Sequence, residues 1–330
     1  MNPKIRWGII GCGIIAPKFF QALENTGEGY VVAAASKSMR RAKRLQKKLG
    51  ILQVYGSYEE MLHREQLDAV YIANTHAEHA AAAKLCLNHG LPVLVEKAFT
   101  RNAKEAAGLI ALARQKKLFC MEAMWTRFNP SSAKVRALIA EGAIGEVQHL
   151  RAAFCVHMPP GMKTMPWNRM YSPRLAGGAL LDIGSYPIAY ARMIFGAPPV
   201  RISGSAKMAW TGVDKTSEYH FEYSGGRRAE LISSFVEHRP REAIITGTHG
   251  IISVPHFSGA SSLCITRSGY SPETIECAAP DFEYEIREVH RCLREGLTES
   301  PFMPLGETLE TMRTMDALRA QWSMKYPGER

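Results

Sequence analysis

The chain has 330 residues, 46% hydrophobic and 22% charged, which fits a soluble globular fold of about two domains with ample core. No apolar run approaches the roughly 18 residues of a membrane span, so no membrane partner is expected. The seven cysteines are scattered without a C-x-x-C pair, which excludes a disulfide or zinc framework and suits reduced thiols in the cytoplasm. A formal net charge of +10 admits anionic ligands. The one dense basic run, residues 40–48, carries Leu45 with Leu49 just after it and reads as a solvated helix face, so nucleic acid is not the expected partner.

The chain enters a strand almost at once, with no leader expected before it. Trp7, Ile9 and Ile10 suit a buried first strand. Gly11-Cys12-Gly13-Ile14-Ile15-Ala16 follows, a G-x-G-x-x-A turn into a helix. Gly11 permits the tight turn, Gly13 lets a pyrophosphate approach the backbone, and Ala16 lets the helix lie close to the sheet. The helix amino end offers N–H groups and partial positive charge to phosphates. Residues Gly11 to Ile15 are therefore candidate cofactor ligands, and the strand–turn–helix context sets the motif apart from an ordinary βα turn.

Strands are predicted at Tyr30 to Ser36, Val54-Tyr55, Ala69 to Ala73, Pro92 to Glu96 and Leu118 to Met121. Helices alternate with them at Met39 to Leu49, Tyr58 to Leu62, Ala77 to Asn88 and Ala103 to Lys117. This alternation predicts a doubly wound parallel sheet over residues 1–122, a dinucleotide-binding Rossmann domain. From residue 123 the pattern changes. A helix from Ser131 to Glu141 precedes strands at Val147 to Val156, Val200 to Trp210, Glu218 to Tyr223, Arg228 to Val236, Ala243 to Thr246, Gly250 to Val254 and Leu263 to Thr266. Gly225-Gly226 reads as a hairpin turn. Helices at Ala179 to Ile194, Tyr284 to Glu295 and Glu307 to Trp322 complete an α+β domain, 123–330, on a mostly antiparallel sheet.

An acidic residue at the end of the second strand binds the ribose 2′-hydroxyl in NAD sites. Here the strand ends Ala35-Ser36-Lys37-Ser38, with Arg40 and Arg41 next and no carboxylate. Ser36, Lys37 and Arg41 suit a 2′-phosphate, so NADP(H) is the expected cofactor and NAD the weaker fit.

Further motifs carry a family resemblance. Glu96-Lys97 follows a strand, and Gly177-Gly178-Ala179-Leu180-Leu181-Asp182-Ile183-Gly184-Ser185-Tyr186-Pro187 lies downstream. With these the whole chain resembles the glucose–fructose oxidoreductase / inositol dehydrogenase / MocA family. Residues 122–128, Glu122-Ala123-Met124-Trp125-Thr126-Arg127-Phe128, and Tyr186 in place of the commoner histidine resemble its dimeric dihydrodiol dehydrogenase / D-xylose dehydrogenase branch. The family's usual Glu-Lys-Pro reads Glu96-Lys97-Ala98 here. The resemblance implies Lys97, Asp182 and Tyr186 as the catalytic group. It places Asn74, His76, His79, Glu96 and Trp167 by the cofactor, and Trp125 and Phe154 with Tyr186 by the substrate. It also implies a homodimer and hydride transfer between the nicotinamide and a sugar, cyclic diol or related carbonyl compound. A non-catalytic NADP-binding sensor or transcriptional regulator is the alternative, and retention of the three catalytic residues argues against it.

The residues permit this chemistry. Lys97 follows a buried strand and so emerges at the carboxyl edge of the sheet, where ligands bind. Its ammonium can polarise a carbonyl and favour a neighbouring phenolate. Asp182 and Tyr186 are four apart and share a face if helical. The aspartate then orients either a ligand hydroxyl or the lysine. His76 and His79 have an i, i+3 spacing, but no third ligand is near, so no metal is expected. Trp125, Phe154, Trp167 and Met158 form a substrate wall, belong to the core or fill the domain interface, and Arg169 is a candidate for the cofactor phosphates. In the strand Arg228 to Val236 both faces are partly apolar, which predicts a homodimer through this sheet.

Overall fold

The computed structural model describes residues 3–158, 165 and 167–329. They form two compact units. One comprises Met1–Trp125 and Asp281–Leu309, the other Thr126–Pro280 and Glu310–Arg330.

The first unit begins β1 (Ile5–Ile10), α1 (Ala16–Thr26), β2 (Gly29–Ala35), α2 (Met39–Leu49), β3 (Gln53–Tyr55) and α3 (Tyr58–Arg64). It continues β4 (Ala69–Ile72), α4 (His76–Asn88), β5 (Val93–Glu96), α5 (Ala103–Lys116) and β6 (Cys120–Ala123). The sheet order is β3-β2-β1-β4-β5-β6, and every pairing is parallel. The central strands are apolar on both faces because helices cover both. Chain order reverses between β1 and β4, which is the switch point where such sheets bind ligands.

The second unit holds α6 (Pro130–Ala140), β7 (Val147–Cys155), α7 (Ser185–Phe195), β8 (Arg201–Met208), β9 (Asp214–Glu222) and β10 (Arg228–Ser234). Strands β11 (Ala243–Gly247), β12 (Gly250–Val254), β13 (Ser262–Arg267) and β14 (Glu273–Glu276) complete its sheet. The order is β14-β13-β12-β11-β7-β10-β9-β8, antiparallel throughout except for the parallel pair β7–β10. The expected architecture, a Rossmann sheet followed by an α+β domain on a mostly antiparallel sheet, is the one observed. Gly225 and Gly226, with φ of 79° and 74°, make the β9–β10 turn, a conformation that favours glycine. Strand β14 has no apolar alternation to announce it, being Glu273-Thr274-Ile275-Glu276 on the sheet edge.

The chain then returns to the first unit. Helix α8 (Glu283–Arg294) packs against α1, with the Trp7 indole N–H donating to His290 Nε2 at 3.0 Å. A single division at residue 122 does not contain this return. Helix α9 (Leu305–Gln321) runs through the division of the units at residue 309.

Candidate active site

The nucleotide edge of the first unit is built as the glycine pattern requires. Gly11 has φ +106°, and a Cβ there would lie 2.4 Å from the Ala73 and Asn74 backbone, so only glycine lets β1 turn beside β4. Gly13 is exposed, and a Cβ there would meet nothing nearer than 3.8 Å. Its backbone is open to a phosphate. No side chain caps the start of α1. At the end of β2, Ser36 is buried and its hydroxyl accepts from the Ser38 N–H at 3.2 Å. Lys37 is exposed and its ammonium is paired with Glu78, on the first turn of α4. Arg40 and Arg41 are exposed on α2. Residues 36–41 themselves include no acid, so they fit a dinucleotide carrying a 2′-phosphate. When bound, its nicotinamide supplies or accepts the hydride. Glu78 puts an acid beside this cluster, from between the two histidines of 76–79.

Lys97 is half-buried directly after β5. Its backbone N–H donates to Glu96 Oε2 at 3.1 Å, and Glu96 also accepts from the Tyr71 hydroxyl. The Lys97–Ala98 peptide is cis. Two further buried acids lie close by. Glu122 on β6 accepts the Phe99 N–H at 3.2 Å, and burial pushes its carboxyl up to about 7. Glu285 on α8 is fully buried, and burial together with the charge of Glu96 raises its carboxyl well above the usual range.

His76 and His79 are both buried, with ring centroids 5.6 Å apart. His79 Nδ1 donates to the Ala98 carbonyl at 2.9 Å. Burial, then the charges of His76 and Lys97, lower His79 to about 3, so it stays neutral near pH 7. A neutral, buried imidazole of this kind is a poor proton donor. Among the described residues no group of three or more His, Cys, Asp or Glu is placed to hold a metal. Trp125 stacks on Phe282 at 4.9 Å, both in this unit.

In the second unit the glycine-rich stretch is explained by crowding. A Cβ at Gly177 would lie 2.5 Å from the Arg169 carbonyl oxygen, at Gly178 2.3 Å from Asp214 Oδ1, and at Gly184 2.4 Å from the Tyr219 hydroxyl. The helix expected from Ala179 is in two parts, a π-helical turn over Leu180–Gly184 and then α7. π-Turns are rare and gather at functional sites. Asp182 lies in this turn, 3% exposed, and accepts from Arg169 Nη1 at 2.8 Å. Arg169 is thus fastened to the acid thirteen residues on, a partnership that spacing did not reveal.

Tyr186 is the second residue of α7 and stacks on Phe154 at 4.9 Å and 13°. Such a pair is worth about 0.5–1.5 kcal/mol beyond its burial. Phe257 meets Phe154 edge-on, and the Arg241 guanidinium lies 5.1 Å from the Phe154 ring centroid. Phe154 and Tyr186 are therefore brought together. Trp167 is 67% exposed and so is not a core residue, and Met158 is half-buried.

Comparison with known proteins agrees with this arrangement. Residues 5–124 match the oxidoreductase family with NAD-binding Rossmann fold, and residues 132–253 match the GFO/IDH/MocA C-terminal domain. The chain is 33% identical to trans-1,2-dihydrobenzene-1,2-diol dehydrogenase of Mus musculus over 99% of both chains. It is 32% identical to the Homo sapiens enzyme of that name, again over 99% of both. A crystal structure of a 3-ketoreductase from Actinomadura kijaniata in complex with NADP and TDP-benzene superposes with a TM-score of 0.85. That chain is 28% identical, and the match covers 97% of this chain and 98% of that one. From the glycine turn of β1 to the Asp182–Tyr186 stretch, the chain belongs to the Gfo/Idh/MocA family of NAD(P)-dependent oxidoreductases.

Proposed function

We propose that this oxidoreductase uses NADP(H) to interconvert an alcohol and a carbonyl on a cyclic diol, sugar or related compound. The observation that carries the cofactor choice is the tip of β2, where Ser36, Lys37 and Arg41 replace the carboxylate of an NAD site. The NADP named with the 3-ketoreductase and the cyclic diol named for the dehydrogenases support the same reading.

Residues 1–122 serve as the nucleotide-binding domain, with Gly11 to Ile15 at the phosphates and Asn74, His76, His79 and Glu96 toward the nicotinamide. Residues 123–330, apart from the return to the first unit over Asp281–Leu309, serve the substrate and the dimer. Tyr186 donates the proton in the reducing direction. The Lys97 ammonium favours the phenolate that results and the charge developing on the substrate oxygen. Asp182, held by Arg169, orients a substrate hydroxyl. Phe154 and Trp125 supply apolar contact, and Trp167 and Arg169 assist the cofactor. Incubating the protein with NADPH and a panel of ketones, dicarbonyls and aldoses, read by cofactor absorbance, tests this. Turnover with at least one member is expected. Tight NADPH binding with complete silence across the panel would favour a sensor.

The protein works as a cytoplasmic homodimer. The sheet of the second unit supports the assembly. Its inner face is buried, with Ala152, Tyr219, Leu231 and Ile245 at most 4% exposed. The opposite face is a groove of about 390 Å³ lined by Ala153, Ile232 and Ile244 among Arg151, Glu218 and Glu230. This face is more charged than β10 alone suggested, with Glu218 3.8 Å from Arg239 and Glu230 3.5 Å from His149. Light scattering at micromolar concentration is expected to give twice the 36.6 kDa chain mass, and the chain mass alone would reject the dimer.

A further inference from the structure

Asp214, the first residue of β9, is fully buried, and the functional reading leaves it without a task. Its Oδ2 accepts the Leu180 backbone N–H at 2.7 Å and the Ser217 hydroxyl. Its Oδ1 lies against Gly178 and has no hydrogen-bond donor among the described residues. Leu180 is the first residue of the π-turn that carries Asp182 and leads into Tyr186. The opening N–H groups of a helical segment have no partner within it, and a carboxylate placed there is both acceptor and counter-charge to the helix dipole.

The same stretch is fastened from a second side. The Tyr326 hydroxyl donates to the Gly177 carbonyl at 2.6 Å, and the Arg319 guanidinium lies 4.6 Å from the Tyr326 ring centroid. The chain is thus gripped at Gly177 and Leu180, immediately before Asp182. A buried carboxylate with one oxygen unpaired is costly to keep. A group retained against such a cost is a candidate for function.

We propose that Asp214 is a positioning residue for the proton-handling group, its carboxylate fixing the first N–H of the π-turn and so the placement of Asp182 and Tyr186. It touches neither cofactor nor substrate in this role and acts only through the Leu180 backbone. The proposal rests on the reading of Tyr186 as proton donor. Burial pushes the Asp214 carboxyl up to about 6. The groups that bear on its charge are Arg319, Tyr219 and Tyr326, together with the Ser217 hydroxyl. Protonation below that pH removes the counter-charge and loosens the grip.

Asp214→Asn keeps the size and one acceptor oxygen and removes the charge. Its kcat is expected to fall by about tenfold, the factor that ~1.4 kcal/mol of a charge-assisted hydrogen bond represents. NADPH affinity, read by fluorescence titration, should be unchanged. A limb in wild-type kcat near pH 6 should be missing from the variant. Ser217→Ala, which removes only the hydroxyl holding the carboxylate, should lower kcat in the same direction by less, and it carries the test if Asp214→Asn does not fold. A folded Asp214→Asn or Ser217→Ala with wild-type kcat and the acid limb intact overturns the proposal. Tyr186→Phe, run alongside, separates the failures. If it keeps activity, the reading of the site is wrong. If it loses activity while both other variants keep theirs, only the role of Asp214 is wrong.

Discussion

The Lys37 ammonium, at the tip of β2, is paired with the Glu78 carboxylate on the first turn of α4. A 2′-phosphate arriving at Ser36 and Arg41 must share or displace that partner. Lys37→Ala should therefore weaken NADPH binding by about 1.5–3 kcal/mol at most, the worth of one hydrogen bond to a charged group. Glu78→Gln, which frees the lysine and removes a negative charge, should tighten NADPH binding and leave NADH binding little changed. Fluorescence titration of both cofactors decides it. Equal loss of NADPH and NADH affinity in Lys37→Ala would remove the lysine from the 2′-phosphate site.

His290 should make the fold less stable in acid. It is fully buried under Trp7, and burial lowers it to about 4 against about 6.5 in the unfolded chain. A folded pKa below the unfolded one means that the stabilisation is complete above pH 6.5 and is lost as pH falls toward 4, roughly 3 kcal/mol in all. His290→Gln keeps an acceptor for the indole and does not titrate. Urea melts at pH 7 and pH 4.5 should show a smaller difference for this variant than for the wild type. The same difference in both would acquit the histidine.

Glu122 works in the opposite sense. Its folded value, about 7, lies above the usual carboxylate range because it is buried. Its contribution is intact below about pH 4.5 and is lost as pH rises through 7. Glu122→Gln should therefore raise the melting temperature at pH 8 and hardly change it at pH 5. A lower melting temperature at pH 8 would mean that the charged form is required by the fold.

Much of this was legible in the residues because local rules agree there. The glycine turn, the buried β strands and the missing carboxylate after Ala35 each follow from steric or charge requirements of a short segment. What was hidden depends on distant partners. Nothing in the local sequence of Asp214 says that its carboxylate meets Leu180, thirty-four residues earlier. The tie of Arg169 to Asp182 was hidden because it spans a fold, not a helical turn. The π-turn escaped because a 3.6-residue period reads smoothly through Leu180–Gly184. Helix α8 is amphipathic on its own, and it is assigned to the first unit by distant contacts: His290 under Trp7, and Arg287 and Arg294 on Glu28.

The central claim is that Tyr186 and Lys97 handle one proton. Tyr186→Phe keeps the ring on Phe154 and removes only the hydroxyl. Steady-state turnover of Tyr186→Phe, Lys97→Met and the double variant, with NADPH binding confirmed by fluorescence, is the most direct measurement. Each single variant should lose about 10²–10⁴-fold in kcat. The double should be little worse than either, because residues acting as a unit are not additive. A Tyr186→Phe enzyme that binds NADPH and keeps more than about half of wild-type turnover, far from a general-acid loss, would contradict the account.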